Sequence, residues 1–534
     1  MHPPRLGAVT RTHEVTYMRI GIDVGGTNTD AVLLDGNSVL AETKTATSAD
    51  VTSGIVNAID QLRHARPFEP AAIKAVMIGT THFINAIVEA DRLSPTAALR
   101  LGLPATASLP PLVGWPDRLI KAINGQGYLC HGGHEFDGRL ISPLDRSELL
   151  RVIEDIHTRG IRSVAISSVF SPVNAELEQE VASLVLEQVP GVHVSMSHEI
   201  GRMGLLEREN ATIINACLRE LAEQVCIGLA ATLREAGFAA PLYLSQNDGT
   251  LMDVDYAREY PVATFASGPT NSMRGAAFLS GLETCAVVDV GGTTSDVGIL
   301  QSGFPREATA EVNVGGVRTN FRMPDVLSVG IGGGSRVRVH NDDVTVGPDS
   351  VGYRLRDEAY VFGGHTLTAT DLAVASGQAE VGDPALVAKL DPTQVRAGLD
   401  HMAAKVAEVV DRMRTSPTPL PVALVGGGSI LLPDELDGAA KVLRPDHFAV
   451  ANAIGAAIAQ IGGEVDRIFA VAPGKRDDVL DTAKQEAVDR AVAAGAEPAS
   501  VEIVDVEEVP IAYLPGNATR IRVRAVGDLT LRDL

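Results

Sequence analysis

The apolar positions along the chain follow two rhythms: short β-branched runs stopped by glycine, and longer runs at helical spacing. Met18 to Val24 is apolar up to Gly25-Gly26-Thr27, and the run 29–34 ends at Asp35-Gly36, a two-residue hairpin signal. A third run over 39–45 completes three short strands. A helix is predicted over 53–65, with Ile55, Val56, Ile59 and Leu62 on one face. A buried strand over 75–78 leads into Gly79-Thr80-Thr81-His82, and 83–89 is helical in pattern. The stretch 93–116 is rich in breakers and reads as a surface excursion. Helices over 147–157 and 174–188 flank a strand over 161–169, a β/α rhythm. The longest helical pattern runs over 205–237, with Gly237 as its C-terminal cap.

The pattern then restarts. Strands over 285–290 and 296–300 surround Gly291-Gly292-Thr293-Thr294, and helices return over 371–379 and 392–413. A strand over 421–425 opens into Gly426-Gly427-Gly428-Ser429. Past Asp466 come a strand, a helix over 477–494 and strands over 501–509 and 519–526, a small α+β cap.

The restart is a repeat. Asp23-Val24-Gly25-Gly26-Thr27-Asn28-Thr29-Asp30 matches Asp289-Val290-Gly291-Gly292-Thr293-Thr294-Ser295-Asp296 at six of eight positions. Each copy ends one apolar strand and begins another. The expected architecture is α/β, a duplicated two-lobed molecule with a cleft between the lobes. Its parts are an N-terminal extension (1–17), a first lobe with an inserted substrate-side region (18–275), a second lobe (276–464) and the α+β cap (465–534).

The turns carry legible chemistry. Paired glycines let backbone N–H groups approach a phosphate where a Cβ would clash, and the threonine hydroxyl adds a neutral donor. The leading Asp23 and Asp289, at buried strand ends, suit a hydrated Mg2+. Asp30 and Asp296 are candidates for a polarising role, with turn hydrogen bonding as the equal alternative. The run Gly426 to Ser429 suits close approach of a flat adenosine. Small-residue helices around Gly275-Ala276-Ala277 and 451–457 permit close crossing at a hinge between lobes.

Charge and cysteines narrow the classes. Lys and Arg number 45 against 67 Asp and Glu, a net charge of −22, which gives no electrostatic reason to bind nucleic acid or an anionic membrane. Four scattered cysteines show no CxxC spacing, and no membrane-length apolar run is present, so a reduced cytoplasmic protein is expected. The 52 glycines are the compositional excess, and the turns account for part of it.

The ordered motifs resemble the actin/Hsp70/sugar-kinase superfamily, and within it the ATP-binding (alpha-type) subunit of the hydantoinase A/oxoprolinase family. The motifs are GIDVGGTNTD from Gly21, IGTTHFINAIVE from Ile78, SHEIG from Ser197, SQNDGT from Ser245, FASGP from Phe265, DVGGTTSD from Asp289, VGIGGGS from Val329 and TATDLAVASG from Thr368. The resemblance implies an ATP-dependent hydrolase of cyclic amides such as hydantoins and 5-oxoproline, needing ATP and Mg2+. It also implies an oligomeric assembly with a separate beta-type hydrolytic partner. Ketone-carboxylase subunits, small-molecule kinases and Hsp70/actin-like activators of a partner protein are the alternatives. Asn28 stands where the family often has an aromatic residue, and the stretch 347–364 lacks the family's proline- and cysteine-bearing run. The part after Glu464 does not obviously match the larger relatives.

Further polar groups attract attention. Thr80, Thr81, His82 and Asn85 resemble a family motif facing the substrate. His131 and His134 with Glu135 offer an H-x-x-H pair, two firm ligands for a metal at most. Ser197-His198-Glu199 reads as polar-loop chemistry, since no nucleophile elbow flanks it. Glu207 and Glu209 favour the start of the long helix through its dipole. Asn210 and Asn215 reach either the cleft or the core. The stretch 330–334 reads only as a cleft loop.

Overall fold

The computed structural model describes residues 18–26, 28–47, 51–308, 312–340, 343–511 and 517–531. The expected N-terminal extension and Thr27 lie outside the described residues. Two sheets carry the repeated motif. Met18–Val24 pairs antiparallel with Asn28–Asp35 and parallel with Ile73–Thr80. Cys285–Val290 pairs antiparallel with Ser295–Gln301 and parallel with Pro421–Val425, the same arrangement in the second lobe. The motif strands are buried on both faces, as their near-continuous apolar sequence requires.

The first sheet has nine strands. From one edge they run Ser38–Ala46, Asn28–Asp35, Met18–Val24, Ile73–Thr80, Leu242–Ser245, Thr250–Asp253, Gln460–Ala470, Ala518–Gly527 and Glu502–Pro510. The strands read as a C-terminal cap therefore complete the first-lobe sheet. The boundary expected at 464/465 falls inside Gln460–Ala470, which pairs with both Thr250–Asp253 and Ala518–Gly527. The boundary expected at 275/276 falls inside the helix Ser267–Ser280.

An all-parallel sheet of Gln126–His131, Thr96–Leu103, Ser163–Ser168 and His193–Met196 is inserted between two strands of the first sheet. Thr96–Leu103 is the correction to the surface excursion: it lies inside this sheet, buried along nearly its whole length. Its alternation is broken by Arg100, which hides a strand from pattern reading. Arg100 is fully buried and holds Glu209 through Nε at 2.6 Å and a terminal nitrogen at 2.5 Å, with Ser167 Oγ donating to the same carboxylate at 2.7 Å. Glu209 thus anchors the long helix Leu205–Glu235 to the inserted sheet and not to its own dipole. Asn210 and Asn215 also turn to the core: Asn210 accepts from Trp115 Nε1, and Asn215 donates to Ser195 Oγ and the Glu259 carbonyl. Gly237 follows the helix end at φ +87°, the left-handed position a glycine cap supplies.

Between the lobes, Ser267–Ser280 crosses Ala451–Ala457. A Cβ on Gly275 would strike the Ala451 carbonyl, and one on Gly455 would strike the Asn271 carbonyl. Glycine at both positions lets backbone touch backbone in a nearly symmetric crossing. Gly275→Ala and Gly455→Ala are each expected to lower the unfolding free energy read from urea denaturation by about 1–3 kcal/mol, the usual range for overpacking. Gly228→Ala, in the long helix with no neighbour nearer than ordinary contact, is expected to be neutral or stabilising by up to ~1 kcal/mol. Equal effects at all three sites in the same denaturation series would contradict the crossing as the cause.

Candidate functional site

Each motif builds its turn alike. The Gly25 N–H donates to the Asn28 carbonyl at 3.0 Å, and the Gly291 N–H to the Thr294 carbonyl at 2.9 Å. The register then sets Asp23 opposite Asp30 and Asp289 opposite Asp296. Gly26, Thr293 and Thr294 are exposed, and Gly25, Gly291 and Gly292 half-buried, so the turns present their backbone outward.

The two leading aspartates are held by neighbouring residues of one helix. Asn271 Nδ2 donates to Asp23 Oδ1 at 3.3 Å, and Ser272 Oγ donates to Asp289 Oδ2 at 2.5 Å. Asn452, on the other crossing helix, bridges Asp23 at 3.0 Å and Asp30 at 2.9 Å. Room for these carboxylates depends on two glycines. A Cβ at Gly79 would strike Asp23, and one at Gly426, where φ is +81°, would strike Asp289.

Burial raises the Asp23 carboxyl to about 6, with Asp30 across the strand pair adding to it and Asn271 and Asn452 opposing. Asp289 is also raised to about 6, by burial first; Ser272 opposes this and Asp296 adds to it. Asp296 is raised by burial against the Ser328 hydroxyl, which donates to it at 2.5 Å. The candidates for polarisation are therefore already engaged. Asp30 forms an ion pair with Lys44 at 2.7 Å, and Asp296 takes the Ser328 bond. Lys44 also donates to the Ala449 carbonyl at 3.2 Å, tying a first-sheet strand to the approach of the second crossing helix.

The glycine run after Pro421–Val425 packs on the second turn. The Gly428 N–H donates to the Val290 carbonyl at 2.8 Å, and the Gly426 N–H to the Phe448 carbonyl at 2.8 Å. Gly427 is exposed, while Ser429 is fully buried and its Oγ has no partner among the described residues. The stretch 330–334, without a role in the sequence, backs the same turn: Gly333 and Gly334 donate to the Gly291 and Gly292 carbonyls at 3.0 and 2.7 Å. A Cβ at Gly332 would press on the backbone of Gly292 and Thr293.

The remaining candidates divide. Thr81 sits beside the first turn, its N–H and Oγ both donating to the Val24 carbonyl at 3.4 Å, and Asn85 donates to Thr81 Oγ at 3.4 Å. Thr80 is buried, with its Oγ accepting from the His82 N–H at 3.1 Å. His82 meets Arg92 at 3.1 Å, and its pKa is lowered by burial and by that arginine. His131 bonds Glu148 at 3.1 Å, whereas His134 is buried and its Nδ1 has no partner among the described residues. No group of three or more His, Cys, Asp or Glu that could hold a metal ion occurs among the described residues. Sequence reading missed Lys44, Asn271, Ser272 and Asn452; proximity to FASGP hinted at Asn271 and Ser272 and the small-residue helix at Asn452, whereas nothing in the sequence pointed to Lys44. No helix among the described residues is long and apolar enough to cross a membrane.

Two related sheets, each with its glycine turn, joined through crossed helices, define a duplicated two-lobed α/β fold of the actin/Hsp70-like class. The chain belongs to the hydantoinase/oxoprolinase family, whose N-terminal region matches residues 19–189 and whose hydantoinase/oxoprolinase region matches 208–382. It is 30% identical over 421 residues to caprolactamase subunit alpha of Pseudomonas jessenii, covering 73% of this chain and 58% of that protein. It is 27% identical to the acetophenone carboxylase gamma subunit of Aromatoleum aromaticum, covering 68% of this chain and 54% of that protein. The crystal structure of ATP-dependent caprolactamase from Pseudomonas jessenii matches with a TM-score of 0.77 at 19% identity, over 96% of this chain and 88% of that chain. The chain thus spans little more than half the length of these curated relatives.

The raised Asp23 carboxyl has a pH signature in the nucleotide-free protein. A carboxyl raised above its unfolded value contributes stability below pH ~4 and loses it as pH rises through about 6. Asp23→Asn removes the buried charge, and the Asn271 Oδ1, buried without a partner among the described residues, can turn to accept from the new amide. The variant is expected to be more stable than wild type near neutral pH by on the order of 2 kcal/mol, and so to melt higher, with the gap closing toward pH ~4. A gap independent of pH in thermal melts would contradict the assignment.

Proposed function

We propose that this chain is the ATP-binding subunit of an ATP-dependent hydrolase of cyclic amides or imides, the hydantoin/5-oxoproline type. The observation that carries the reading is the pair Asp23 and Asp289, strand-end carboxylates of the two lobes anchored to consecutive residues of one helix. That anchoring supports a shared cleft for the two carboxylates. ATP phosphates would lie between the turns Gly25-Gly26-Thr27 and Gly291-Gly292-Thr293-Thr294, and adenosine against Gly426 to Ser429.

Mg2+ fits this donor set. Two raised carboxylates beside one another lower their mutual cost when a divalent cation, which prefers oxygen and keeps several waters, stands between them. Asp23 and Asp289 would hold it through water, and it would neutralise charge on the phosphates. Lys44, on Asp30, supplies the nearby cation of the chain itself. Phosphoryl transfer is chiefly positioning and electrostatic stabilisation, so this apparatus suffices to activate a carbonyl oxygen as a phosphate ester. Thr80, Thr81, His82 and Asn85, at the end of the strand beside the first turn, would then meet the amide. Attack of water on that carbon and cleavage of the C–N bond, with the proton going to the leaving ring nitrogen, would fall to a beta-type partner chain. Hydrolysis of the resulting acyl phosphate by a second water to carboxylate and phosphate would fall to the same partner, with the assembly working as an oligomer in the cytoplasm.

The acetophenone carboxylase relative supports a second reading, an ATP-dependent carboxylase subunit. The complex isolated from its host with its companion chain distinguishes them. Release of ADP and phosphate with lactams or hydantoins supports the hydrolase, and consumption of ATP that requires bicarbonate and a ketone supports the carboxylase. Asp23→Asn and Asp289→Asn are each expected to lower ATP turnover roughly a hundredfold or more, the scale of losing one electrostatic contact in a transition state. Wild-type turnover and nucleotide affinity in both variants would sink the metal-orienting role.

A further inference from the structure

A cavity of about 670 Å³ lies between the loop that follows the strand Ser163–Ser168, the segment 198–203 that precedes the long helix, the turn 246–248 and the strand Gln460–Ala470. No residue of the two glycine turns or of the run Gly426 to Ser429 lines it. Its volume falls within the range of small-molecule sites, roughly 300–1,000 Å³.

One wall carries an oriented histidine. Glu178, fully buried, accepts from His198 Nδ1 at 2.6 Å and from the His198 backbone N–H at 3.0 Å. Its other oxygen accepts from Ser197 Oγ at 2.5 Å, and Arg208 Nε donates to that hydroxyl at 2.9 Å. The carboxylate fixes the proton of neutral His198 on Nδ1 and leaves Nε2 as an acceptor, 4.0 Å from Glu199. Glu199 in turn accepts from the Tyr260 hydroxyl at 3.0 Å. Burial opposes charge on His198, but Glu178 and Glu199 together outweigh it and raise the imidazole pKa. Nε2 is therefore an acceptor only on the alkaline side of that pKa, where the binding test is run.

The other wall is rich in arginine. Arg202, Arg322, Arg520, Arg522 and Arg524 share the carboxylates Glu307, Glu464 and Asp466, with Asp505 at 3.8 Å from Arg522. Arg202, Arg322 and Arg520 line the cavity. Arg202 bonds Glu307 at 3.1 Å, and its buried Nε has no partner among the described residues. Burial and the neighbouring Arg522 pull Arg322 down to about 10. The two other acids on the lining are committed elsewhere, Glu199 to Tyr260 and Asp248 to Thr250. Five guanidinium groups drawing on shared carboxylates leave donors for one more anion, in a chain whose net charge is −22.

We infer that this cavity is a second small-molecule site, distinct from the nucleotide turns. Its ligand places a carboxylate on the Arg202, Arg322 and Arg520 wall and an N–H or O–H proton on His198 Nε2. Ile200, Met203, Val262 and Phe321 cover the ligand's apolar body.

The test is binding without nucleotide, by calorimetry or ligand-observed NMR. The probes are 5-oxoproline and 2-pyrrolidinone, which share a lactam ring and differ by one carboxylate. 5-Oxoproline is expected to bind saturably and 2-pyrrolidinone roughly tenfold or more weakly, the scale of a charge-assisted contact. Arg202→Met is expected to remove that preference, and His198→Gln to weaken both lactams, with MgATP binding unchanged in each. Equal binding of the two probes, no saturable binding of 5-oxoproline, or wild-type affinities in both variants would overturn the inference. Should Arg202→Met melt early, His198→Gln decides the matter alone. Neither residue touches the turns, so a failure here leaves the ATP reading standing, and loss of the ATP reading leaves this binding intact.

Discussion

The backbone contact between two helices organises the rest of the molecule. Gly275 lies on the Ala451 carbonyl and Gly455 on the Asn271 carbonyl, so the helices of the two lobes meet without side chains between them. Asn271 and Ser272 then fall where the two motif strands end, and Asn452 falls between Asp23 and Asp30. A wider crossing would withdraw these three donors from three carboxylates at once. The same closeness reaches the first sheet, where a Cβ on Gly21 would strike the Ala453 carbonyl. Small residues at these positions thus act on the electrostatics of the cleft through distance alone.

Acidic residues facing one another across a strand pair repel, and here that arrangement occurs twice. The two lobes answer differently. In the first, Lys44 and Asn452 engage Asp30; in the second, a hydroxyl, Ser328, serves Asp296. The duplication therefore keeps its backbone geometry and has diverged in its charge. The cation sits on one lobe only, and it reaches across to the Ala449 carbonyl as well.

Much of this was legible in the chain. The motif strands, the long helix and the crossing helices appear where glycine stops, β-branched runs and helical spacing place them, because each is an element whose burial pattern matches its period. The helix 392–413 and the strand 421–425 match residue for residue. Thr96–Leu103 was illegible because a buried arginine interrupts an otherwise apolar strand, and only the distant Glu209 explains it. The cap assigned to 465–534 was misread for a related reason: sheet membership is a long-range property that local pattern does not contain. Within the site, the repeat exposed the aspartates and glycines, whereas Lys44, Asn271 and Asn452 belong to it only through the fold. The stretch 330–334 gains its place from hydrogen bonds to a turn some forty residues earlier.

The order of strands in the first sheet bears on how the protein is made. Thr250–Asp253 finds its second neighbour only when Gln460–Ala470 has been synthesised, and that strand finds its own in Ala518–Gly527. The ribosome therefore delivers the first motif early and the rest of its sheet hundreds of residues later. In the interval Thr250–Asp253 is an open edge, the kind of surface that invites wrong pairing and engages chaperones. The helix Ala451–Ala457, which completes the crossing, also emerges in that late portion. A nascent chain consequently displays its first glycine turn long before it owns a cleft, and the two turns share no helix crossing until Ala451–Ala457 has been made.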